Sequence, residues 1–354
     1  MSGPKNASIG ASGFRFYRWT DPISGEDTDV LSVTSIRRLC GVPHMLVNWQ
    51  VGNVINLAMG TRQETRIGPK GGVKKVYVQE GDFPGTFVTQ MLASNGAEEE
   101  LARVRKWLNG SSNEPRDTAA TRGTVVHSAI EHDVRVDQID LGYIEKMWQL
   151  ERTTSRATMQ DVMFVQHCMR QYWAMRADVP FVILAREPQV WNLSAGYAGS
   201  FDVLLWLVPE GAPPEQLVAW QVLANQRALS VEDIEAAGGQ IVLGDWKTSK
   251  GVYVDHVVQV HAYLAAEFVG EDGVVDAYLT RFLKVAERGC LIHIRPNGWG
   301  MHFVDFTAPV LRAFLGSVAF ARFLAMHQEP TALFTNELTG AAPDTDTEDE
   351  DDGY

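Results

Sequence analysis

Apolar and polar positions along residues 156–327 follow two spacings. Short apolar runs bounded by Gly, Pro or charged residues are typical of buried strands. Strands are predicted at 181–191, 196–207, 241–247, 274–285, 291–294 and 302–304. Between them, apolar residues recur at the spacing of one buried helical face. Helices are predicted at about 156–177, 254–269 and 309–327. This order of elements indicates an α/β fold.

The first 120 residues show short amphipathic stretches separated by polar turns. Residues 1–30 are predicted to form a strand or an extended arm. Helices are predicted at 32–40, 45–59 and 96–108, with a basic loop at 60–80. Arg37 is either a phosphate contact or an ordinary helix-surface residue. Residues 1–120 are therefore interpreted as a mainly helical N-terminal accessory region.

A loop at 109–118 is predicted to lead into a core at 121–330. One segment within this range and one segment after it differ from the core in composition. Residues 209–239 are rich in Pro and Gly and are predicted to form a surface insertion. Residues 331–354 form a tail in which 344–352 holds seven acids and no base. This composition predicts a disordered segment.

The composition is that of a soluble globular protein, since 45% of the 354 residues are hydrophobic and 21% are charged. No apolar run is long enough to predict a membrane span, and no signal peptide is expected. Cys40, Cys168 and Cys290 lie far apart, so neither disulfides nor a zinc or iron–sulfur cluster is expected. A cytoplasmic location is therefore expected.

The net charge of −13 at first argues against a nucleic-acid partner. Much of the acid excess lies in the tail, whereas residues 1–120 hold 14 Lys and Arg against 12 Asp and Glu. Acids that bind a cation would also have their charge offset. The charge balance therefore leaves a nucleic-acid partner open.

One candidate site lies where the apolar run 241–243 ends in Gly244, Asp245, Trp246 and Lys247. Side chains two positions apart on a strand point to the same side, so Asp245 and Lys247 are expected to face one place. Trp246 is expected to face the other way. A carboxylate beside an ammonium can bind a divalent metal and steer a water or a phosphate. A simple ion pair at the strand end is the alternative.

Other charged residues are candidates for the same site. Asp202 is predicted to lie within an apolar strand, where a carboxylate is costly unless it is paired or binds a cation. Glu187 is predicted to lie on the preceding strand. His127 and Glu131 are four positions apart and share one face of a helix that Thr124 is predicted to cap. Structural roles are the alternative for each of them.

These residues follow one order along the chain: His127, Glu187, the run Gly199–Asp202, the run Asp245–Lys247, and Gln259 with Tyr263. The ordered set resembles the PD-(D/E)XK nucleases, and within them the RecB-like branch that includes phage exonucleases. That branch is marked by a helix His, a Gly-x-x-Asp strand, an Asp/Glu-x-Lys strand and a Gln-x-x-x-Tyr helix. The motifs cover roughly residues 120–270.

The resemblance implies a restriction-endonuclease-like core, which is a mixed central sheet flanked by helices, and a metal-dependent nuclease activity. It implies that Asp202, Asp245 and His127 bind Mg²⁺ or Mn²⁺. Lys247 is implied to orient the attacking water and stabilise the developing charge. Glu187 is implied to assist catalysis through a further water or metal.

The resemblance also implies substrate-binding roles for Gln259, Tyr263 and Arg122. No iron–sulfur cluster is expected, because the cysteines that some relatives use are missing. The separation of Asp202 and Asp245 is longer than usual, which is explained if residues 209–239 loop out of the sheet.

The resemblance implies that the partner is DNA, as single strands or duplex ends, and that the protein is an exonuclease. A recombination or replication protein and a second copy of the chain are possible partners, and the bacterial host cytoplasm is the location if the chain is phage-encoded. Two alternatives stay open. One is a non-catalytic DNA-binding protein on the same scaffold, and the other is an interaction protein whose acidic tail binds a partner.

Overall fold

A computed structural model gives the fold and describes residues 7–10, 13–37, 39, 61–67, 73–79, 113–151 and 156–326. The strands are β1 (Ala7–Ile9), β2 (Arg15–Thr20), β3 (Asp27–Ser32), β4 (Thr61–Ile67), β5 (Val73–Gln79), β6 (Phe181–Arg186), β7 (Gln189–Asn192), β8 (Tyr197–Ser200), β9 (Val203–Leu207), β10 (Gln240–Lys247), β11 (Phe268–Glu271), β12 (Val274–Val275), β13 (Arg288–Arg295) and β14 (Gly298–Asp305). The helices are α1 (Val33–Arg37), α2 (Asn113–Glu131), α3 (Leu141–Leu150), α4 (Met159–Asp178), α5 (Pro214–Asn225), α6 (Val231–Ala237), α7 (Val254–Leu264), α8 (Ala277–Val285) and α9 (Ala308–Met326).

A five-stranded mixed sheet has the order β14-β13-β10-β9-β6. Its central strand β10 pairs in parallel with β13 and antiparallel with β9. The two faces alternate along the sequence, with Leu204 and Leu243 in one hydrophobic cluster and Val203 and Val242 in another. Helices α2–α4 cover the second cluster, and α1 and α5–α9 contribute to the first. The predicted α/β architecture, a mixed sheet flanked by helices, is confirmed.

A seven-stranded sheet has the order β1-β2-β3-β8-β7-β11-β12. Trp191 on β7 packs against Tyr17 and Trp19, with ring centroids 5.9 and 5.0 Å away. The described part of residues 1–120 therefore consists mostly of strands β1–β5, with α1 and the start of α2. It differs from the mainly helical region expected there. The helices predicted at 45–59 and 96–108 lie outside the described residues, as does the acidic tail.

One long hairpin connects the two sheets. Strands β6 and β9 form its base in the five-stranded sheet, and β7 and β8 form its tip in the seven-stranded sheet. The strands break at Glu187 and at Asp202. These two residues lie opposite each other, and the Glu187 N–H donates to the Asp202 carbonyl at 2.9 Å. Glu187 has φ 49°, in the left-handed region that turns a chain sharply. The prediction of both residues inside continuous strands is wrong, because the chain changes sheets there.

Segment 274–285, predicted as a strand, forms β12 and then α8. Asp276 begins the helix, since its carboxylate accepts the Leu279 N–H at 2.9 Å. Phe282 and Leu283 are buried on its inner face. The composition of this run is compatible with a strand or with a helix. The Asp276 cap and the surface available for packing therefore determine that most of it forms a helix.

Helix α2 begins at Asn113, so residues 113–118 are not part of a loop as predicted. The Thr124 hydroxyl donates to the Ala120 carbonyl at 3.3 Å within the helix instead of capping its start. His127 consequently lies in the second half of α2, near the end that meets the hairpin bend.

Residues 209–239 lie outside the five-stranded sheet, as predicted. β9 and β10, which flank this segment, pair directly, and the segment itself forms α5 and α6. Gln221 on α5 bonds both backbone groups of Ile183 on the edge strand β6, each at 2.9 Å. Trp220 packs against Trp206, with ring centroids 4.6 Å apart.

In the described part of the chain, α9 alone has the length and composition to cross a membrane, with a mean hydropathy of 1.4. Phe314, Val318 and Ala321 on α9 are buried in the cluster that also holds residues of α1 and α7. One such helix is weak evidence for a membrane span, because a helix that packs on a protein core passes the same test.

Replacing Gly199 by Ala is expected to lower the free energy of unfolding by about 1–3 kcal/mol through overpacking. The added Cβ would lie 2.7 Å from Tyr263 Cε1 and 3.2 Å from Val33 Cβ, and both side chains are buried. Gly316→Ala on α9 is the control, because its Cβ would meet nothing within 4 Å and Ala favours a helix. Urea titrations measure both, and a native midpoint for Gly199→Ala would contradict this packing.

Candidate functional site

Two charged side chains lie at the C-terminal end of β10. Asp245 Oδ2 and Lys247 Nζ form an ion pair, and these side chains are only 3% and 13% exposed. Trp246 faces the other cluster and packs against Tyr172, with ring centroids 5.8 Å apart. The orientation predicted for these three side chains is confirmed.

Asp202 reaches this pair because the hairpin bend brings its carboxylate beside β10. Regular pairing of β9 with β10 ends at Val203 and Gly244, and beyond it the Asp202 carboxylate accepts the Trp246 N–H. Asp202 Oδ1 also lies 3.6 Å from His127 Nδ1 on α2. Asp202 therefore links three elements: the hairpin, β10 and α2.

Glu187 adds a further carboxylate from the opposite side of the bend. Burial, followed by the negative charges of Asp202, Glu131 and Asp245, raises the pKa of Glu187 to about 8, against the opposing effect of His127. Several carboxylates thus share one region with a histidine and a lysine. We call the group of His127, Glu187, Asp202, Asp245 and Lys247 the acidic cluster.

The two aspartates of the acidic cluster differ in pKa. Burial disfavours the charged form of Asp202, but His127 and Lys247 outweigh burial and lower its pKa below the ordinary value. Burial raises the pKa of Asp245 in spite of the charge of Lys247, and Asp202 adds to this rise. The charge of Asp202 raises the pKa of His127 against the effect of burial. Neighbouring groups with separated pKa values are common in acid–base sites.

Helix α7 holds Gln259 and Tyr263 next to the bend. Gln259 Nε2 donates to the Tyr263 hydroxyl at 2.8 Å, and Arg37 donates to Gln259 Oε1 at 2.7 Å. Burial, with a contribution from the charge of Asp245, raises the pKa of Tyr263 above its ordinary value. Gln259 and Tyr263 are therefore buried, bonded to each other and close to the acidic cluster. Their contact with a substrate stays a prediction.

Arg122 lies in the contact between α2 and α4. Its Nε is 2.5 Å from Asp161 Oδ1, and the Asp161 side chain is only 2% exposed. The guanidinium also lies 5.6 Å from the centre of the Phe164 ring. This ion pair gives Arg122 a structural role, and its contact with a phosphate stays a prediction.

Two further residues near the acidic cluster carry no motif in the sequence. His256 lies within one turn of Gln259 on α7, and burial followed by the charge of Lys247 lowers its pKa to about 4. Arg295 on β13 donates to the Thr248 carbonyl at 2.9 Å and so fixes the segment that follows Lys247. The effect of Lys247 on His256 and the contact of Arg295 with Thr248 both depend on long-range packing. The local sequence pattern does not predict them.

Comparison with known proteins gives no family for this chain. No protein-family model matches it, and no curated protein matches it. A function must therefore be inferred from the chemistry of the site.

The donor set of the acidic cluster fits a hard divalent cation, which prefers carboxylate oxygens. Asp245 Oδ2 contacts Lys247, yet it makes no well-aligned hydrogen bond within the described residues, and neither does the buried Glu131 Oε2. A bound cation would satisfy such buried oxygens. No three His, Cys, Asp or Glu side chains in the described ranges are already spaced for a metal ion.

Glu187→Gln is expected to change the pH dependence of stability when no divalent cation is present. The folded-state pKa of about 8 exceeds the ordinary 4.5, so the folded chain keeps a proton that the unfolded chain releases. The stabilisation is full below the unfolded pKa and is lost as pH rises towards about 8. The melting temperature of the variant, relative to the native chain, should therefore rise between pH 5 and pH 8. Glu235→Gln on α6 is the exposed control, and equal pH profiles for Glu187→Gln and the native chain would contradict this pKa.

Proposed function

We propose that this chain is a metal-dependent nuclease that hydrolyses phosphodiester bonds in DNA. In this proposal the α/β unit is a restriction-endonuclease-like core of the PD-(D/E)XK type, in its RecB-like branch. The observation that carries the proposal is the meeting of His127, Glu187, Asp202, Asp245 and Lys247 in one cluster, in which Asp245 is buried and the other four are half-buried. These residues come from α2, the hairpin bend and β10, and they follow the order of the RecB-like motifs.

In the proposed mechanism, Asp202, Asp245 and His127 would hold Mg²⁺ or Mn²⁺, and the cation would supply polarisation of the phosphate and a lower pKa for a bound water. Lys247 shares a face of β10 with Asp245, so its ammonium can orient a water and stabilise charge on the phosphate. Glu187, with a pKa of about 8, can hold or release a proton near neutral pH.

The substrate is proposed to be DNA with free ends, either single strands or duplex ends, and the reaction to be exonucleolytic. Gln259, Tyr263 and Arg122 are proposed to position the strand. Little base specificity is expected, because contacts to the backbone carry no sequence information. Such an activity would serve phage DNA recombination, repair or degradation in a bacterial cytoplasm.

The test is cleavage of end-labelled linear DNA and of covalently closed circular DNA with Mg²⁺, Mn²⁺ or EDTA. Metal-dependent loss of linear DNA alone is expected. Cutting of circles would assign an endonuclease to the same cluster. Binding without cleavage under all metals would instead favour a non-catalytic DNA-binding protein.

A further inference from the structure

Two cavities adjoin along α4, on the side where α2 ends. The first has a volume of about 770 Å³ and its lining includes Arg135, Arg170 and Trp173. The second has a volume of about 480 Å³ and its lining includes Arg176, Arg186 and Arg227. Arg176 of the second cavity lies beside Trp173 of the first, with its guanidinium 5.5 Å from the centre of the ring.

This surface carries more arginines than acids, although Arg227 is paired with Asp276. Asp133 is shared by Arg176 and Arg186, at 2.9 and 2.5 Å, so that one carboxylate faces two guanidinium groups. Arg135 lies 3.3 Å from Asp137, and both of these side chains are highly exposed. Arg170 is exposed and forms no ion pair within the part of the chain that the structure describes. The excess stands out in a chain whose net charge is −13.

The second cavity begins beside the acidic cluster. Arg186 directly precedes Glu187, and its Nη1 donates to the Ile130 carbonyl at 2.7 Å. Ile130 in turn directly precedes Glu131, whose charge acts on Glu187. The C-terminal end of α2 therefore contacts both the cluster and the cavity.

We propose that the two cavities form one binding surface for the sugar–phosphate backbone of a DNA strand that enters or leaves the acidic cluster. We call it the arginine surface, and its residues are Arg135, Arg170, Arg176, Arg186 and Arg227. One guanidinium group can donate two parallel hydrogen bonds to the oxygens of a phosphate. Trp173 supplies an aromatic surface on which a base or a sugar can pack. That the ligand is DNA rests on the proposed function.

The test measures binding of a labelled 30-nucleotide single strand by fluorescence anisotropy, across a salt series with Mg²⁺, in the Asp245→Ala full chain. The added double variant is Arg135→Ala with Arg170→Ala, two exposed positions where folding is not at risk. The matched control is Arg312→Ala with Arg322→Ala, which removes the same charge from exposed positions on α9.

The double variant is expected to weaken binding about tenfold at low salt. It is also expected to reduce the slope of log K against log salt by about 1.4, because each phosphate contact on a single strand contributes about 0.7. The α9 control should keep the slope. Unchanged affinity and slope in the double variant would contradict the arginine surface. If a peptide of residues 341–354 binds more tightly than the DNA strand, the surface would be assigned to the acidic tail instead.

Cleavage by the native chain is scored separately, so the two proposals can fail separately. Cleavage by the native chain, together with DNA binding that is unchanged in the double variant, would contradict only the proposed arginine surface. Binding that depends on the arginines, without cleavage, would contradict only the proposed nuclease function. Absence of both binding and cleavage would contradict both proposals.

Discussion

Replacement of Asp245 by Asn is expected to lower the rate of DNA cleavage by about 10³-fold, which is about 4 kcal/mol of transition-state stabilisation. Asn keeps the size of the side chain but removes the charge that pairs with Lys247 and that holds the cation in the proposed mechanism. The fold should tolerate the change, because the Asp202 carboxylate, on which the charge of Lys247 also acts, remains as a negative partner for the ammonium. Initial rates of nucleotide release from linear DNA and urea titrations measure the two effects.

Asp305→Asn is the matched control for this experiment. It makes the same chemical change on β14, where the side chain is 74% exposed and pairs with Arg288. Its cleavage rate should stay within about twofold of native, as is usual for a residue outside a catalytic unit. A folded Asp245→Asn variant with a native rate would show that the acidic cluster is not the catalytic site.

Lys247→Met is expected to lower cleavage by about 10²–10³-fold, since the ammonium stabilises charge only in the transition state. It should also lower the free energy of unfolding by about 3 kcal/mol at pH 8, because Asp245 is left buried without its partner. The loss should shrink at pH 5. The folded-state pKa of the Asp245 carboxyl is already raised by burial, and loss of the Lys247 charge raises it further, so a lower pH favours its uncharged form.

Lys250→Met separates these effects from the loss of any nearby positive charge. Lys250 lies three positions further along the chain and is exposed. This control should leave both the stability and its pH dependence unchanged. Urea titrations at pH 5 and pH 8 in EDTA compare the variants, and an equal loss at both pH values for Lys247→Met would contradict the pairing with Asp245.

The strand end at β10 was predictable because its geometry is local. Alternation along a strand places Asp245 and Lys247 on one side and Trp246 on the other, whatever the rest of the fold does. The length of the adjoining apolar run also identified a buried strand. No long-range information was needed for this part of the candidate site.

The positions of Glu187 and Asp202 were not predictable in the same way. Phe201 and Val203 flank Asp202, and apolar runs lie on both sides of the segment 186–189, so each pattern is compatible with a continued strand, although Pro188 is a local signal of a break. The break arises because the hairpin passes from one sheet to the other, with a positive φ at Glu187. The strands near the N-terminus also depend on long-range pairing, since β3 joins β8 across much of the chain.

The direct pairing of β9 with β10 makes the geometry of the acidic cluster independent of the length of the turn that leaves β9. Ladder hydrogen bonds and the bond from the Trp246 N–H set the register of Asp202 against Asp245, so the turn at 209–213 can lengthen without moving either carboxylate, whereas α5 and α6 pack on the core. Closing a longer connection adds only about 0.6 kcal/mol for each doubling of its length. This turn is thus a place where the protein can acquire an element during evolution, or accept an inserted reporter domain, while the acidic cluster is retained.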